Sequence, residues 1–363
     1  MHPDFQHFMH QATKLTQSGD LAAATAAIQA ALRGIAPTAR PPQDDSDVID
    51  VEAWEIPDVD GASPTASVAP EVVMPTRRPT ITGDTFIAGS FRNAAGQRSY
   101  KLYIPSNAGA QPLPLIVMLH GCTQDADDFA AGTAMNDAAR AQGFYVLYPV
   151  QSQKANPQKC WSWFKHNHQR QGRGEPEILA GMTREVIDTH AIDPQRVYVA
   201  GLSAGGAMAA IMAGAYPNLY AAAGVHSGLA PGVASDLPSA LAAMKSGTGS
   251  AHAQAGSGVP TIVFHGDRDA TVHPGNAQSV AVASAGSAAH VETIRVPGVR
   301  NKRHSTRHMY RNRAGHVIAE RWEIHGAGHA WAGGAQSGSY TDQSGPDATA
   351  EMLRFFFERG RKP

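Results

Sequence analysis

The chain has 363 residues, of which 42% are hydrophobic and 17% charged, and its formal net charge is −1. This composition indicates a globular protein and excludes a disordered or fibrous one. The near-neutral charge gives no field that would attract nucleic acid, and no stretch approaches the roughly 20 apolar residues of a membrane-spanning helix. We therefore expect neither a nucleic-acid partner nor a membrane span.

Two segments are predicted to precede the main domain. Apolar residues from Phe5 to Leu32 recur at helical spacing around a Ser-Gly-Asp break, so residues 1–35 are predicted to form a helical hairpin. Residues 36–80 are rich in proline and aspartate, which oppose compaction, and are predicted to be an acidic linker. The hairpin could pack on the main domain, or it could contact a partner, a hydrophobic surface or a second copy of the chain. Because the first residues lack the unbroken apolar core of a secretion signal, a cytoplasmic protein is expected.

Buried strands alternate with helices from residue 81 to residue 363. We predict strands at 85–91, 98–104, 113–119, 144–148, 196–200, 221–225, 261–264 and 319–324, and helices at 128–142, 175–190 and 204–216. This alternation predicts one α/β catalytic domain, with a mostly parallel central sheet and helices on both of its faces. In such sheets the functional residues gather where the strands end.

A nucleophile motif stands at the end of one predicted strand. The sequence GLSAG occupies residues 201–205, directly after the strand at 196–200 and at the start of the next helix. In this context Ser203 is predicted to be a nucleophile, held on a tight turn that the flanking glycines permit. The helix N-terminus would also favour a developing negative charge. Without the flanking strand and helix, the same letters could be a glycine-rich turn.

An acid and a base follow two later strands, in the order Ser, then Asp, then His that is expected for a nucleophile on a sheet of this kind. The strand at 261–264 leads to Asp267 and Asp269; Asp269 is favoured as the acid because it lies further into the loop, and Asp267 would support the turn. The strand at 319–324 leads to His325 and His329 in a glycine-rich loop. His329 is favoured as the base, and His325 is expected to be structural.

The strand at 113–119 ends in the sequence HGCTQ at residues 120–124. A loop at this place can supply one backbone N–H to an oxyanion, and the residue after the nucleophile can supply another. We predict that the amides of Cys122 and Ala204 form this oxyanion hole, with His120 supporting the loop from within. No metal-binding or nucleotide-binding motif is found, so no metal or cofactor is expected.

Together with CWSW at 160–163, HGDRD at 265–269 and GHAW at 328–331, these motifs resemble the polyhydroxybutyrate depolymerase family of esterases, relatives of feruloyl and acetylxylan esterases. The resemblance spans about residues 85–359. It implies the α/β-hydrolase fold and a triad of Ser203, Asp269 and His329 that works through an acyl-enzyme. The implied substrates are hydroxybutyrate oligomers, polymer or similar short-chain esters. The alternatives are feruloyl or acetyl esters on sugars, a peptidase or amidase, and a non-catalytic granule-binding protein, although the intact triad argues against the last.

The resemblance also implies roles for two tryptophans and two cysteines. Trp161 and Trp331 would form walls of the substrate pocket, although both could instead be ordinary core residues. Cys122 and Cys160 would approach each other, either as a disulfide or as two free thiols. A disulfide would indicate a periplasmic or secreted protein instead of a cytoplasmic one. A basic stretch at 300–313 is expected to be a solvated surface, with an acidic ligand as the alternative.

Overall fold

The computed structural model describes residues 83–247, 258–286 and 290–361. The predicted hairpin at 1–35 and linker at 36–80 lie outside these residues, and the domain boundaries stay a prediction. The described strands are β1 Thr85–Asn93, β2 Gly96–Ile104, β3 Leu113–Leu119, β4 Tyr145–Pro149, β5 Ile192–Leu202, β6 Ala222–His226, β7 Thr261–Gly266, β8 His290–Val296, β9 Ser305–Arg311, β10 Val317–Ile324, β11 Trp331–Ala332 and β12 Thr341–Asp342. The described α-helices are α1 Ala126–Thr133, α2 Met135–Gln142, α3 Gly174–Thr189, α4 Ala204–Ala215, α5 Leu237–Ser246, α6 Gly275–Ala285 and α7 Ala348–Phe357.

Ten of the described strands form one sheet in the order β1-β2-β4-β3-β5-β6-β7-β10-β9-β8. Its six central strands, from β4 to β10, pair in parallel. The pairs at both edges are antiparallel. The mostly parallel sheet predicted from the sequence is therefore confirmed, with antiparallel strands added on each side.

Both faces of the central strands are buried. All seven residues of β3 are buried, and their side chains alternate between two hydrophobic clusters, with Leu115 and Val117 in one and Ile116 and Met118 in the other. A continuous apolar run is what a parallel strand covered on both faces requires. Each such side chain contributes about 1.5–3 kcal/mol by leaving water.

One predicted element has a different form. The helix expected at 128–142 is two helices, α1 and α2, separated by Ala134 in a left-handed conformation with φ 52°. The hydroxyl of Thr349 donates a hydrogen bond of 2.7 Å to the carbonyl oxygen of Thr133, which helps to end α1 there. Side-chain to backbone bonds of this kind compete with helix continuation. The break was not visible in the sequence because the partner lies 216 residues away.

Among the described residues, no helix is both long enough and apolar enough to cross a lipid bilayer. Strands β9 and β10 form an antiparallel hairpin around the turn at residues 312–315. Because β5, β6, β7 and β10 are parallel neighbours, the loops that follow them all emerge at one edge of the sheet.

Candidate active site

Ser203 occupies the turn between β5 and α4, with φ 56° and ψ −118°. Such a positive φ is uncommon for a residue with a side chain, and the surroundings must hold it in place. The N–H of Ser203 donates a hydrogen bond of 2.8 Å to the carbonyl oxygen of His226 at the end of β6. This turn therefore lifts Ser203 out of the strand while fixing its backbone to the neighbouring strand.

The glycines of the motif are required by close backbone approach. A Cβ atom at Gly201 would lie 2.6 Å from the carbonyl oxygen of Leu119, and one at Gly205 would overlap the carbonyl oxygens of Leu119 and His120. α4 thus packs directly on the end of β3, and any residue larger than glycine at these two positions would prevent this packing. This contact brings the loop after β3 against the Ser203 turn.

Asp269 and His329 form a direct hydrogen bond across two loops. The Nδ1 atom of His329, after β10, lies 2.7 Å from Oδ2 of Asp269, after β7. The other carboxylate oxygen accepts hydrogen bonds from the backbone N–H groups of Thr271 and Val272, at 2.9 and 2.8 Å. Because Nδ1 of His329 faces a carboxylate, it carries the proton and leaves Nε2 as an acceptor.

The Asp269 carboxylate is ionised despite its burial. Burial by itself would raise its pKa, but hydrogen bonds from His265 and His329, together with the backbone N–H of Val272, outweigh this and hold the pKa well below its usual range. The residue is only 5% exposed, so these bonds act in a region of low dielectric. A fixed negative charge at this point stabilises a positive charge that develops on His329.

His265, the last but one residue of β7, was not recognised from the sequence as part of this arrangement. Its Nε2 atom lies 2.8 Å from the carbonyl oxygen of Val272 and 3.2 Å from Oδ2 of Asp269. Both neighbours are acceptors, so Nε2 must carry the proton and donate to them. His265 therefore orients the Asp269 carboxylate, and the motif HGDRD was the signal that could have shown it.

The second pair of candidates, Asp267 and His325, lies at the same loops but forms a separate contact. Oδ1 of Asp267 accepts a hydrogen bond of 2.7 Å from the N–H of Gly326, and its Oδ2 lies 3.1 Å from Nδ1 of His325. Asp267 therefore has the contacts of a residue that supports the turn, with Gly326 and His325 as its partners. With Glu323 these side chains also bring three ligand-type atoms within 4.8 Å, but the Asp267–His325 contact already explains their proximity.

His226 links the Ser203 turn to the loop that carries His329. Its carbonyl oxygen accepts from Ser203, as described, and its Nε2 atom accepts a hydrogen bond of 3.0 Å from the N–H of Ala332. Its ring stacks on the indole of Trp331 at 5.2 Å between centroids. Burial holds the pKa of His226 well below its usual range, so it stays a neutral acceptor. A histidine at the end of an apolar strand was the only sequence signal for this role.

The loop after β3 lies beside Ser203. A Cβ atom on Gly121 would be 3.7 Å from Cβ of Ser203, and the N–H of Gly121 donates to the side-chain oxygen of Gln124 at 2.9 Å. His120 supports the loop from below, because its Nδ1 donates to the carbonyl oxygen of Gly121 at 2.7 Å. The amide of Cys122 follows directly, and Ala204 begins α4, where the first N–H groups have no partner inside the helix.

Cys122 and Cys160 are joined by a disulfide. The sequence had left a bridge and two free thiols equally open, and the bridge fixes the oxyanion-loop candidate to the CWSW segment. Since disulfides persist in oxidising compartments, the bridge argues against the cytoplasmic expectation. The sequence could not decide this because the two cysteines are 38 residues apart.

Trp161 and Trp331 are both fully buried, at 0% and 1% exposure. The indole N–H of Trp161 donates to the carbonyl oxygen of His120 at 3.1 Å, and that of Trp331 donates to the hydroxyl of Thr349 at 3.0 Å. The two rings lie in the clusters on opposite faces of the sheet. The described structure thus brings neither ring to a surface where a substrate would touch it, which favours the core-packing alternative.

Three of the six Lys and Arg residues in the basic stretch at 300–313 pair with carboxylates of the chain. Arg303 pairs with Asp342 at 2.7 Å, and Arg307 with Glu320 at 2.8 Å. Arg311 pairs with a glutamate of β8 at 3.1 Å. These internal partners support the prediction of an ordinary surface over that of a site for an acidic ligand.

Comparison with known proteins identifies the family of the chain. Residues 98–294 match the family model described as Esterase PHB depolymerase. The chain is 33% identical over 220 residues to poly(3-hydroxyalkanoate) depolymerase C of Paucimonas lemoignei, covering 57% of this chain and 52% of that protein. It is 30% identical over 226 residues to acetylxylan esterase A of Emericella nidulans, covering 56% of this chain and 72% of that protein. The chain thus spans about half the length of the depolymerase.

A solved acetyl xylan esterase from Aspergillus awamori has the same fold. It superposes with a TM-score of 0.54 at 22% identity, covering 64% of this chain and 89% of that one. At this level of identity the likeness concerns the fold, and it agrees with the α/β-hydrolase architecture expected from the sequence.

Proposed function

The chain belongs to the esterase PHB depolymerase family, and we propose that it is an esterase that hydrolyses carboxylic esters with Ser203 as its nucleophile. In this proposal His329 is the general base, Asp269 orients and stabilises it, and the amides of Cys122 and Ala204 form the oxyanion hole. The observation that carries the proposal is the 2.7 Å contact between His329 and Asp269 at the sheet edge where Ser203 is raised on its turn.

The chemistry follows from these positions. Nε2 of His329 takes the proton of the Ser203 hydroxyl while Oγ attacks the ester carbonyl carbon, and the carbonyl oxygen becomes an oxyanion. Each amide that donates to this oxyanion stabilises the transition state by about 3–4 kcal/mol. The imidazolium then gives its proton to the departing alcohol, leaving an acyl-enzyme. A water molecule activated by His329 hydrolyses the acyl-enzyme in the same manner and restores the hydroxyl of Ser203.

The first proposed substrate class is esters of hydroxyalkanoic acids, as oligomers or polymer. The family match and the similarity to the Paucimonas depolymerase support it. Acyl esters on sugars are the second candidate, because acetylxylan esterase A is similar over a comparable length. Both substrate classes present the same reacting ester, so they would differ only in contacts away from Ser203.

We also propose that the enzyme works in an oxidising compartment, outside the cytoplasm. The Cys122–Cys160 disulfide supports this, since reducing compartments keep such pairs as thiols. Residues 1–35 could contact the hydrophobic surface of a polymer granule or a second copy of the chain, and this contact stays a prediction from the sequence.

The test compares wild type with Ser203→Ala on p-nitrophenyl acetate and butyrate. Loss of the nucleophile is expected to lower kcat by at least about 10⁴-fold, because a triad member is removed. Acid release from hydroxybutyrate oligomers and from acetylated xylan then chooses between the two substrate classes. A wild type inert on every ester, or a variant as active as wild type, would contradict the proposal.

A further inference from the structure

Two exposed residues with unusual backbone conformations meet beside the proposed oxyanion loop. Thr123 has φ 67° and Tyr340 has φ 52°, and both side chains reach solvent, with Tyr340 48% exposed. Positive φ at residues with side chains costs free energy and persists where the surroundings enforce it, often at functional sites. Neither residue takes part in the chemistry proposed above.

The side chains of Thr123 and Tyr340 contact each other. The hydroxyl oxygens of Thr123 and Tyr340 are 3.2 Å apart. Thr123 already donates to the carbonyl oxygen of Cys122 at 2.6 Å, so the Tyr340 hydroxyl is the donor between them. The carbonyl oxygen of Tyr340 in turn accepts from the N–H of Trp331, at 2.7 Å, two residues after His329. Tyr340 therefore connects the loop of the proposed oxyanion hole with the loop of the proposed base.

The neighbouring residues hold this connection rigidly. Both carboxylate oxygens of Asp128 accept from Ser339, from its N–H at 2.8 Å and its hydroxyl at 2.6 Å. The same carboxylate accepts from the amide of Gln124 at 2.7 Å. One side chain of α1 thus fixes the residue before Tyr340 and the residue after Thr123. An exposed aromatic ring whose backbone is fixed loses little freedom on binding, which favours it as a contact surface.

The position of the ring decides what it can touch. Gly121 lies against Ser203, and Thr123 is only two residues further along the same loop. Cys122 lies between these two residues, so an ester carbonyl bound at its amide would lie near the exposed contact of Thr123 with Tyr340. A substrate that extends beyond its reacting ester on this side would pass over Tyr340.

We propose that the ring of Tyr340 binds the second unit of an oligomeric hydroxyalkanoate ester and favours extended substrates over small ones. This inference rests on the proposed function and concerns the same site. The methylene and methyl groups of such a unit pack on an aromatic face without needing dedicated polar partners. The hydroxyl of Tyr340 is already engaged with Thr123, so the face and not the hydroxyl makes the contact.

The experiment measures kcat and KM by pH-stat for ethyl acetate and for the methyl ester of a hydroxybutyrate trimer. The variants are Tyr340→Ala, Tyr340→Gln and Tyr340→Phe, together with Thr123→Val and the distant control Ile87→Ala on β1, which is 45% exposed. Without the ring, the ratio of kcat/KM for trimer over ethyl acetate is expected to fall about tenfold, mainly through KM. Tyr340→Phe and the control should keep the ratio within about twofold of wild type.

Three outcomes would overturn the proposal. One is an unchanged ratio in both Tyr340→Ala and Tyr340→Gln, checked by thermal melting to be folded. The second is a ratio in Tyr340→Phe that falls as far as in Tyr340→Ala, since the hydroxyl would then be what matters. The third is an equal fall in Thr123→Val, which would indicate a role in holding the loops together. A wild type that hydrolyses neither ester contradicts the proposed function itself, which separates the two failures.

Discussion

Replacing Asp269 by asparagine tests how the proposed base is oriented. In the folded chain, one carboxylate oxygen accepts from the N–H groups of Thr271 and Val272, and the other from the side chains of His329 and His265. The carbonyl oxygen of an asparagine would keep the two backbone bonds. Its amide N–H₂ would then face His329, which could respond only by making Nδ1 the acceptor and moving its proton to Nε2. The imidazole would then be unable to accept the proton of Ser203.

The expected loss follows from this exchange of tautomers. We expect kcat for p-nitrophenyl butyrate to fall about 10⁴-fold, which corresponds to about 5 kcal/mol of transition-state stabilisation. KM should change little, because Asp269 does not touch substrate in this account. The two residues have the same shape, so the fold should survive, and a urea unfolding curve of the variant checks this.

Asp267→Asn is the matched control, because it removes a carboxylate from the same loop. Asp267 is bonded to Gly326 and His325 and not to His329, so its loss should lower kcat less than about tenfold. The reasoning is refuted if Asp269→Asn keeps more than about a tenth of wild-type kcat, or if Asp267→Asn is the more damaging of the two.

Three further predictions concern stability. Replacing Cys122 and Cys160 together by serine should lower the free energy of unfolding by about 4 kcal/mol, because the bridge closes a 38-residue loop, and urea titration measures this; an unchanged midpoint would contradict it. Gly205→Ala should lower the free energy of unfolding by about 3 kcal/mol or more, because the added Cβ would overlap backbone atoms. Gly214→Ala, on the same helix but with open space around it, is the control and should be neutral or stabilising by up to about 1 kcal/mol. Burial lowers the pKa of His120 to about 4, so between pH 6.5 and pH 4 the unfolded chain binds a proton at this residue that the folded chain does not. The free energy of unfolding should therefore decline by about 3 kcal/mol as the pH falls through this range. Urea midpoints that do not change over this range would contradict the prediction.

Much of the fold could be predicted because its signals are local. The apolar run of β3 needs no distant information to be read as a strand buried on both faces. The glycines at 201 and 205 likewise indicate the tight turn, and the structure shows the backbone contacts that exclude larger residues there. The loop positions of Asp269 and His329 followed from counting residues beyond each strand, and their catalytic roles stay predictions.

Other features depended on contacts between distant parts of the chain. The two hydroxyls at Thr123 and Tyr340 are 217 residues apart, and no periodicity links them. The burial of Trp161 depends on how the CWSW segment folds under His120, which loop sequence alone does not determine. The added bond from His265 to Asp269 was missed because the motif HGDRD does not show which way the histidine side chain points from its strand.

In the proposed mechanism Ser203 is the residue that becomes acylated. The most direct measurement is mass spectrometry of the protein after reaction with an alkyl fluorophosphonate, in which a serine oxygen displaces fluoride and keeps the phosphonate. We expect one adduct, mapped to Ser203 in the peptide that contains GLSAG, and none in Ser203→Ala. An adduct on another residue, or full esterase activity in a protein labelled at Ser203, would contradict this mechanism.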